Sequence, residues 1–341
     1  HNFFYMINKI NKCLVIGSNS FSGSHFVDLL LNKNIKVFGV SRSKEANKVF
    51  LKYKLNKNLK NFKFSQININ HQKDLNRLSK IMVSNNIKFI VNFASQGMVA
   101  ESWKTPEDWY LTNTLSHIKL FRRIMLKCKI KKFLHISTPE VYGDNLKFLY
   151  ENSPHNPSTP YAISRSATDF HLKALHKVFN FPVLFARAAN VYGPGQQLYR
   201  IIPKTIMSLK KNLTLPLHGG GRSIRSFIHI EDAVKGYFLI LQKGKINNNY
   251  HISTNKFISI KDLVYKICKT FRKKKNNKIK IEKKDRLGKD KAYFLISKNS
   301  RRKLGWQPVI KIDDGIKDTL NWINNNYKYL KKIKLKYIHK K

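Results

Sequence analysis

Between residues 12 and 188, short apolar runs alternate with segments of helical periodicity. No other feature of the chain restricts its fold as tightly. KCLVIG (12–17) precedes a helical pattern from Phe21 to Leu31, and KVFGVS (36–41) and FKFSQINI (62–69) are the next two runs. A helix from Asp74 to Asn85 leads into IKFIVNFA (87–94). A longer helix opens at Pro106, with Leu111, Leu115, Ile118, Phe121 and Met125 as its apolar stripe. KKFLHIS (131–137), a helix over 161–179 and PVLFARA (182–188) complete the series. Strands this continuously apolar must be covered on both faces, and their alternation with helices makes them parallel. The predicted fold class is α/β, a Rossmann-like doubly wound parallel sheet.

After Ala188 the texture turns to loops, VYGPGQQLYRIIP and LPLHGGGRSIRSF, before a helix over 231–241 and a strand at YHIS (250–253) rejoin the sheet. We therefore expect a sheet domain at 6–188 plus about 227–256. A smaller C-terminal α/β domain, at 189–226 and 257–325, leans over the carboxyl ends of the strands, and a basic tail follows at 326–341. Ligands of open α/β sheets bind in that crevice. Residues 1–5 precede Met6 and are expected to be upstream sequence, outside the fold.

Charge narrows the function less than its size suggests. The formal net charge is +47, but the lysines are spread along the chain among many Asn and Ile residues, as in a drift of overall composition. The local runs FRKKKNNKIKIEKK (271–284) and YKYLKKIKLKYIHKK (327–341) offer salt-sensitive attraction only, so nucleic acid is not the expected partner. No apolar run is long enough to span a membrane. Cys13, Cys128 and Cys268 are too few and too scattered for a disulfide framework or a metal site, which fits a reducing cytoplasm.

The first strand ends in GSNSFSG, with Gly17, Ser20 and Gly23 at three-residue spacing and Phe21 opening the helix. Small residues there permit a tight turn and a close approach of backbone N–H groups to a pyrophosphate. The second strand ends on Ser41 and Arg42 where an acidic residue would accept from an adenosine ribose. A guanidinium suits a 2′-phosphate instead, so NADP is the expected cofactor and NAD the alternative. TPYAISRSATDF (159–170) puts Tyr161 and Arg165 one turn apart on a helix, and a cation beside a phenol favours phenolate, the form a base needs. HISTPEVYG (135–143) ends a strand on Ser137, Thr138, Pro139 and Glu140.

Together GSNSFSG, NFASQ, STPEVYG, PYAISR, RAANVYGPG and GGGRSIRSFIHIEDA resemble, in order, the landmarks of the extended short-chain dehydrogenase/reductase family across nearly all of 12–325. Within that family the likeness is greatest to nucleotide-sugar 4,6-dehydratases of the dTDP-glucose type, because Glu140 is a carboxylate that 4-epimerases generally lack. The resemblance implies that Tyr161 takes the C4 hydroxyl proton while hydride leaves C4, that Glu140 removes the C5 proton as the C6 hydroxyl departs, and that hydride returns to C6. It implies that Ser137 and Thr138 hydrogen-bond the C4 oxygen and that Arg165 serves the nicotinamide ribose. It also assigns Phe93, Ala94 and Ser95 to the nicotinamide edge and Asn68 with Ile69 to the adenine. Gln96, Asn190, Arg200 and Arg225 fall to the nucleotide sugar, and Asn113 to fixing neighbouring strand ends.

Three departures stand out: Arg165 replaces the usual Lys, Pro139 the usual acid, and Met98 a common His. UDP-glucuronate decarboxylase and nucleotide-sugar 4-epimerase remain alternative activities, and a catalytically degenerate NADP-binding protein is the alternative from another class. A homodimer through the helices at about 106–127 and 161–179 is implied by the same resemblance.

Overall fold

The computed structural model describes residues 9–144, 146–271, 279–283, 288 and 291–339. Five strands come from the first part of the chain: β1 (Lys12–Ile16), β2 (Lys36–Ser41), β3 (Phe62–Gln66), β4 (Phe89–Asn92) and β5 (Lys132–Ile136). With Val183–Ala188 and Asn249–Ile252 they form one seven-stranded sheet, in the order Asn249–Ile252, Val183–Ala188, β5, β4, β1, β2, β3. Every pair in it is parallel. Strand order reverses at β1, where β2 lies on one side and β4 on the other, so the crevice opens above the carboxyl ends of β1 and β4.

Successive side chains of a strand face opposite ways, and the sheet sorts its apolar residues accordingly. Val15, Val91, Leu134 and Leu184 share one buried cluster with Phe26, Leu30 and Tyr237. Leu14, Ile90, Phe133 and Phe185 share the other with Leu75, Leu78 and Phe121. The first face is covered by α1 (Phe21–Asn32) and the helix Ile230–Lys243, and the second by α2 (Gln72–Ser84), α4 (Ser116–Lys127) and α5 (Pro160–Phe179), with the short α3 (Pro106–Tyr110) leading towards α4. A separate cluster of Ile202, Ile206, Leu217, Leu263, Ile267 and Ile316 holds the later helices together.

Two elements differ from the sequence expectation. The third strand stops at Gln66 instead of running to 69, because Asp74 accepts from Asn68 N at 2.8 Å and Asn68 from Asn70 N at 3.1 Å, folding the chain away. The long helix over 106–127 is interrupted by a π-turn at Leu111–Leu115, and its expected stripe splits. Phe121 is buried, but Leu111 and Leu115 are 41% and 47% exposed, while Asn113, Ser116 and His117 face inward. Hydrophobic periodicity identifies an apolar face without saying what covers it. The basic run 271–284 lies partly outside the described residues; within it, Ile279–Glu282 forms a strand beside Leu215–His218. Among the described residues no helix is long and apolar enough to cross a membrane.

Candidate active site

At Gly17 and Gly23 the β1–α1 turn has no room for a side chain. Gly17 has φ +83°, and a Cβ on it would stand 2.8 Å from Ala94 N; a Cβ on Gly23 would stand 2.2 Å from Gly17 O. Ser20 takes a role that sequence reasoning missed: it caps α1, its Oγ accepting from Gly23 N at 3.0 Å. The first turn of α1 carries no acidic side chain, so the positive end of its dipole stays available to an anion. Ser41 Oγ accepts from Asn19 N at 2.9 Å and so ties the ends of β1 and β2 together.

Beside this turn lies a cavity of about 350 Å3 lined by Arg42, Asn68, Asn70, His71, Gln96, Asp108, Leu111 and Thr112. Arg42, Asn68 and Gln96 are sequence-predicted members. Asn70, His71, Asp108 and Thr112 were not expected, although Asn70 and His71 follow directly on a strand end where ligand contacts concentrate. Two predicted residues turn away: the Phe93 ring packs on Phe26 and Tyr237, and Ile69 is buried in the core near Leu75. Phe93 therefore offers the crevice its backbone and not its ring. The loop after β4 is pinned from α3 and the π-turn. Asn113 Oδ1 accepts from Gln96 N at 2.7 Å, its Nδ2 donates to Gln96 O at 3.0 Å, and Trp109 Nε1 donates to Gly97 O at 3.0 Å. Ala94 and Ser95 stand partly and fully exposed on this loop. Met98 holds φ +77°, a strained conformation for its residue type.

The reactive side chains converge. Pro160 occupies the first turn of α5, and the Thr159 cap accepts from Ala162 N at 3.2 Å, so the helix starts with Tyr161 at the strand ends. The Thr138 hydroxyl donates to Glu140 and also hydrogen-bonds the Tyr161 phenol. The phenol pKa nevertheless lies above its ordinary value: burial raises it first and the Glu140 charge next, against Arg165, the Thr138 hydrogen bond and Arg200. This reverses the expectation from Arg165 alone, since spacing reveals the cation but not the desolvation.

Arg165 is buried, its Nη2 donating to Ile136 O and lying 3.3 Å from His135 Nε2, while Nε and Nη1 have no partner among the described residues. Ser137 Oγ donates to Asp169 Oδ2 at 2.7 Å. The same carboxylate pairs with Arg187 at 2.6 Å, both side chains being fully buried. Ser137 has thus committed its proton inward and presents lone pairs to the cleft. Asp169 was missed by sequence reasoning, although it sits one turn beyond Arg165 on α5.

On the other wall, Tyr293 Oη donates to Asn190 Oδ1 at 2.8 Å and its ring lies under the Arg225 guanidinium at 4.5 Å. Arg225 Nη1 also donates to Ile224 O at 2.8 Å. Arg200 is exposed, stands over the Tyr199 ring at 5.5 Å, and is near enough to act on Tyr161. No group of three metal-ligating side chains occurs among the described residues.

A sequence profile of the family described as GDP-mannose 4,6 dehydratase matches residues 14–319. Human dTDP-D-glucose 4,6-dehydratase is 29% identical over 324 residues, covering 93% of this chain and 91% of that one. A trifunctional UDP-glucose 4,6-dehydratase/3,5-epimerase/reductase of Arabidopsis thaliana is 31% identical over 270 residues, 78% of this chain. The chain spans only 40% of that plant relative's length. The crystal structure of dTDP-glucose 4,6-dehydratase from Bacillus anthracis in complex with NAD superposes with a TM-score of 0.84 at 25% identity, covering 95% of this chain and 99% of the other. The seven-strand sheet, the glycine turn and the Tyr161–Thr138–Glu140 cluster therefore sit in a recognised lineage: the chain belongs to the GDP-mannose 4,6-dehydratase family, among the extended short-chain dehydrogenase/reductases that comprise nucleotide-sugar dehydratases and epimerases.

Proposed function

We propose that the chain is an NAD(P)-dependent nucleotide-sugar 4,6-dehydratase acting on a dTDP-glucose-like substrate. The observation that carries this reading is the shared Thr138 hydroxyl, which joins a phenol and a carboxylate at one strand end. The residues present suit a dinucleotide. The bare glycine positions Gly17 and Gly23 admit a pyrophosphate, and Arg165 Nε and Nη1, without partners among the described residues, are buried donors of the kind ribose hydroxyls satisfy. When bound, the nicotinamide accepts the C4 hydride and later supplies the hydride that C6 receives.

Tyr161 takes the proton of the C4 hydroxyl, and Thr138 holds the C4 oxygen. Ser137, whose proton points to Asp169, can only accept, so it faces a sugar hydroxyl. The C4 ketone makes the C5 proton acidic, and Glu140 removes it. Pro139 has no proton to give, so Glu140 passes the captured proton to the departing C6 hydroxyl, which leaves as water, and C5 takes a fresh proton from solvent as C6 receives its hydride. Asn190 and Arg225 bind the diphosphate, with Arg200 nearby.

Mass spectrometry after incubation with dTDP-, UDP-, GDP- and CDP-sugars tests the reading: loss of water from one hexose supports it, and no mass change with any of them sinks it. Pro139 favours a second reading, a UDP-glucuronate decarboxylase, because loss of carbon dioxide needs no acid for a leaving hydroxyl. Its signature is a product lighter by carbon dioxide.

The cofactor is read as NADP through Arg42. Arg42→Ala should weaken NADP by about tenfold to a hundredfold, the worth of a hydrogen bond to a charged group, with NAD nearly unaffected. Calorimetric titration reads both, and equal losses would remove the argument. We also read the exposed Leu111, Leu115, Ile163, Phe170 and Val178 on the two long helical segments as the contact with a second copy of the chain. Leu115→Asp with Phe170→Asp should then sediment as a monomer where the parent sediments as a dimer.

A further inference from the structure

The basic tail is a sequence motif that this chemistry leaves unused. From Ile333 onward it alternates: Ile333, Leu335, Tyr337 and His339 are half-buried, whereas Lys334, Lys336 and Ile338 are exposed. Alternate side chains thus lie against the protein surface and point away from it. Ile333 and Leu335 pack against the hydrophobic cluster of the later helices. Beyond them the segment enters the cleft. Gln96 Nε2 donates to Tyr337 Oη at 2.9 Å and faces His339 Nδ1 at 3.1 Å. His339 Nε2 lies 2.7 Å from Asp108 Oδ2, and its ring stacks on Trp109 with centroids 4.9 Å apart and planes 9° from parallel. Tyr337 meets Tyr199 edge-on at 5.4 Å. Arg42 and Arg200 are both close enough to act on its phenol.

These are ligand positions. Gln96 and Asp108 line the 350 Å3 cavity, and Arg42 Nη2 reaches the remaining oxygen of the Gln96 amide at 3.4 Å. The family profile ends at residue 319, before the segment begins.

We propose that residues 336–339 are a built-in competitor, lying across the cleft and lifting before a dinucleotide can seat. The inference rests on the dinucleotide part of the proposed function and not on the sugar chemistry. Each donor of the Gln96 amide that the segment engages is lost to an incoming ligand. Because the segment is anchored at Ile333 and Leu335, it competes at the high effective concentration of a tethered group. The measured affinity is then the intrinsic one reduced by the fraction of open chains.

Two measurements on the full chain test this. The double variant Tyr337→Ala/His339→Ala should bind NADP or NAD about tenfold more tightly than the parent by calorimetry. In the parent, adding saturating dinucleotide should speed tryptic cleavage after Lys336, a readout that needs no variant. An unchanged affinity together with unchanged cleavage overturns the proposal. Weaker binding by the double variant also overturns it, since the segment would then be a wall of the site. Tighter binding without dehydration of any sugar leaves the competitor standing and removes the dehydratase reading. Failure of both proteins to bind either dinucleotide removes both.

Discussion

Glu140→Gln should lower dehydration by about a hundredfold to ten-thousandfold, the range lost when a positioned general acid–base group is removed. The amide keeps the shape of the carboxylate and a hydrogen-bond acceptor for the Thr138 hydroxyl, but it cannot take the C5 proton. Dinucleotide affinity should stay within about twofold, because the glycine turn and Arg165 stand apart from this side chain. The more telling readout is isotopic. In deuterated water the parent should place deuterium in its product, and Glu140→Gln should abolish that incorporation along with the loss of water. Unchanged turnover in the variant would assign the base elsewhere. Removing the negative charge has a second effect: Glu140 helps hold the Tyr161 phenol above its ordinary pKa, so Glu140→Gln should shift that titration downward.

Asp169→Asn should destabilise the fold by about 3–5 kcal/mol, because it leaves Arg187 buried without a counter-charge. Both side chains are fully buried and 2.6 Å apart. Arg187 keeps only neutral partners, Tyr142 at 3.2 Å and Asn249 at 3.0 Å through Nη1 and the His155 ring at 3.1 Å through Nη2. Urea unfolding measures the loss, and the paired replacement Asp169→Leu/Arg187→Met should lose less than the single variant. A change below about 1 kcal/mol would mean that water reaches the pair and screens it. The substitution should also reach the chemistry, since Ser137 would no longer be compelled to direct its proton away from the cleft. In a Ser137→Ala background, Asp169→Asn should therefore cost little further activity among molecules that remain folded.

Most of the sheet could be read from the sequence because buried parallel strands are continuously apolar and bounded by glycines and helix starts. KVFGVS is a strand over 36–41, as its pattern predicts, and the glycine spacing leads directly to the turn at Gly17 and Gly23. What the pattern lacks is direction and environment. Leu111 and Leu115 look like core and face outward, since periodicity marks an apolar face without saying what covers it. Phe93 ends the predicted strand IKFIVNFA, where the resemblance assigns it to the nicotinamide edge, but pleat parity turns its ring into the core. Tyr161 and Arg165 have the predicted spacing, yet burial outweighs the cation in setting the phenol. Tyr293, which braces Asn190, lies far along the chain and has no local signal at all. In the tail, the lysines hid a two-residue alternation that was present in plain letters at Ile333, Leu335, Tyr337 and His339.

The two guanidinium nitrogens of Arg165 that lack an acceptor among the described residues should leave a mark on the melting of this chain. Sealed from water, they tax the empty fold, and any visitor that brings oxygen atoms to them relieves the debt and contributes its own contacts as well. Heat tolerance should therefore report occupancy. A preparation stripped of small molecules should melt early, and one saturated with dinucleotide late, by more than surface binding alone would give.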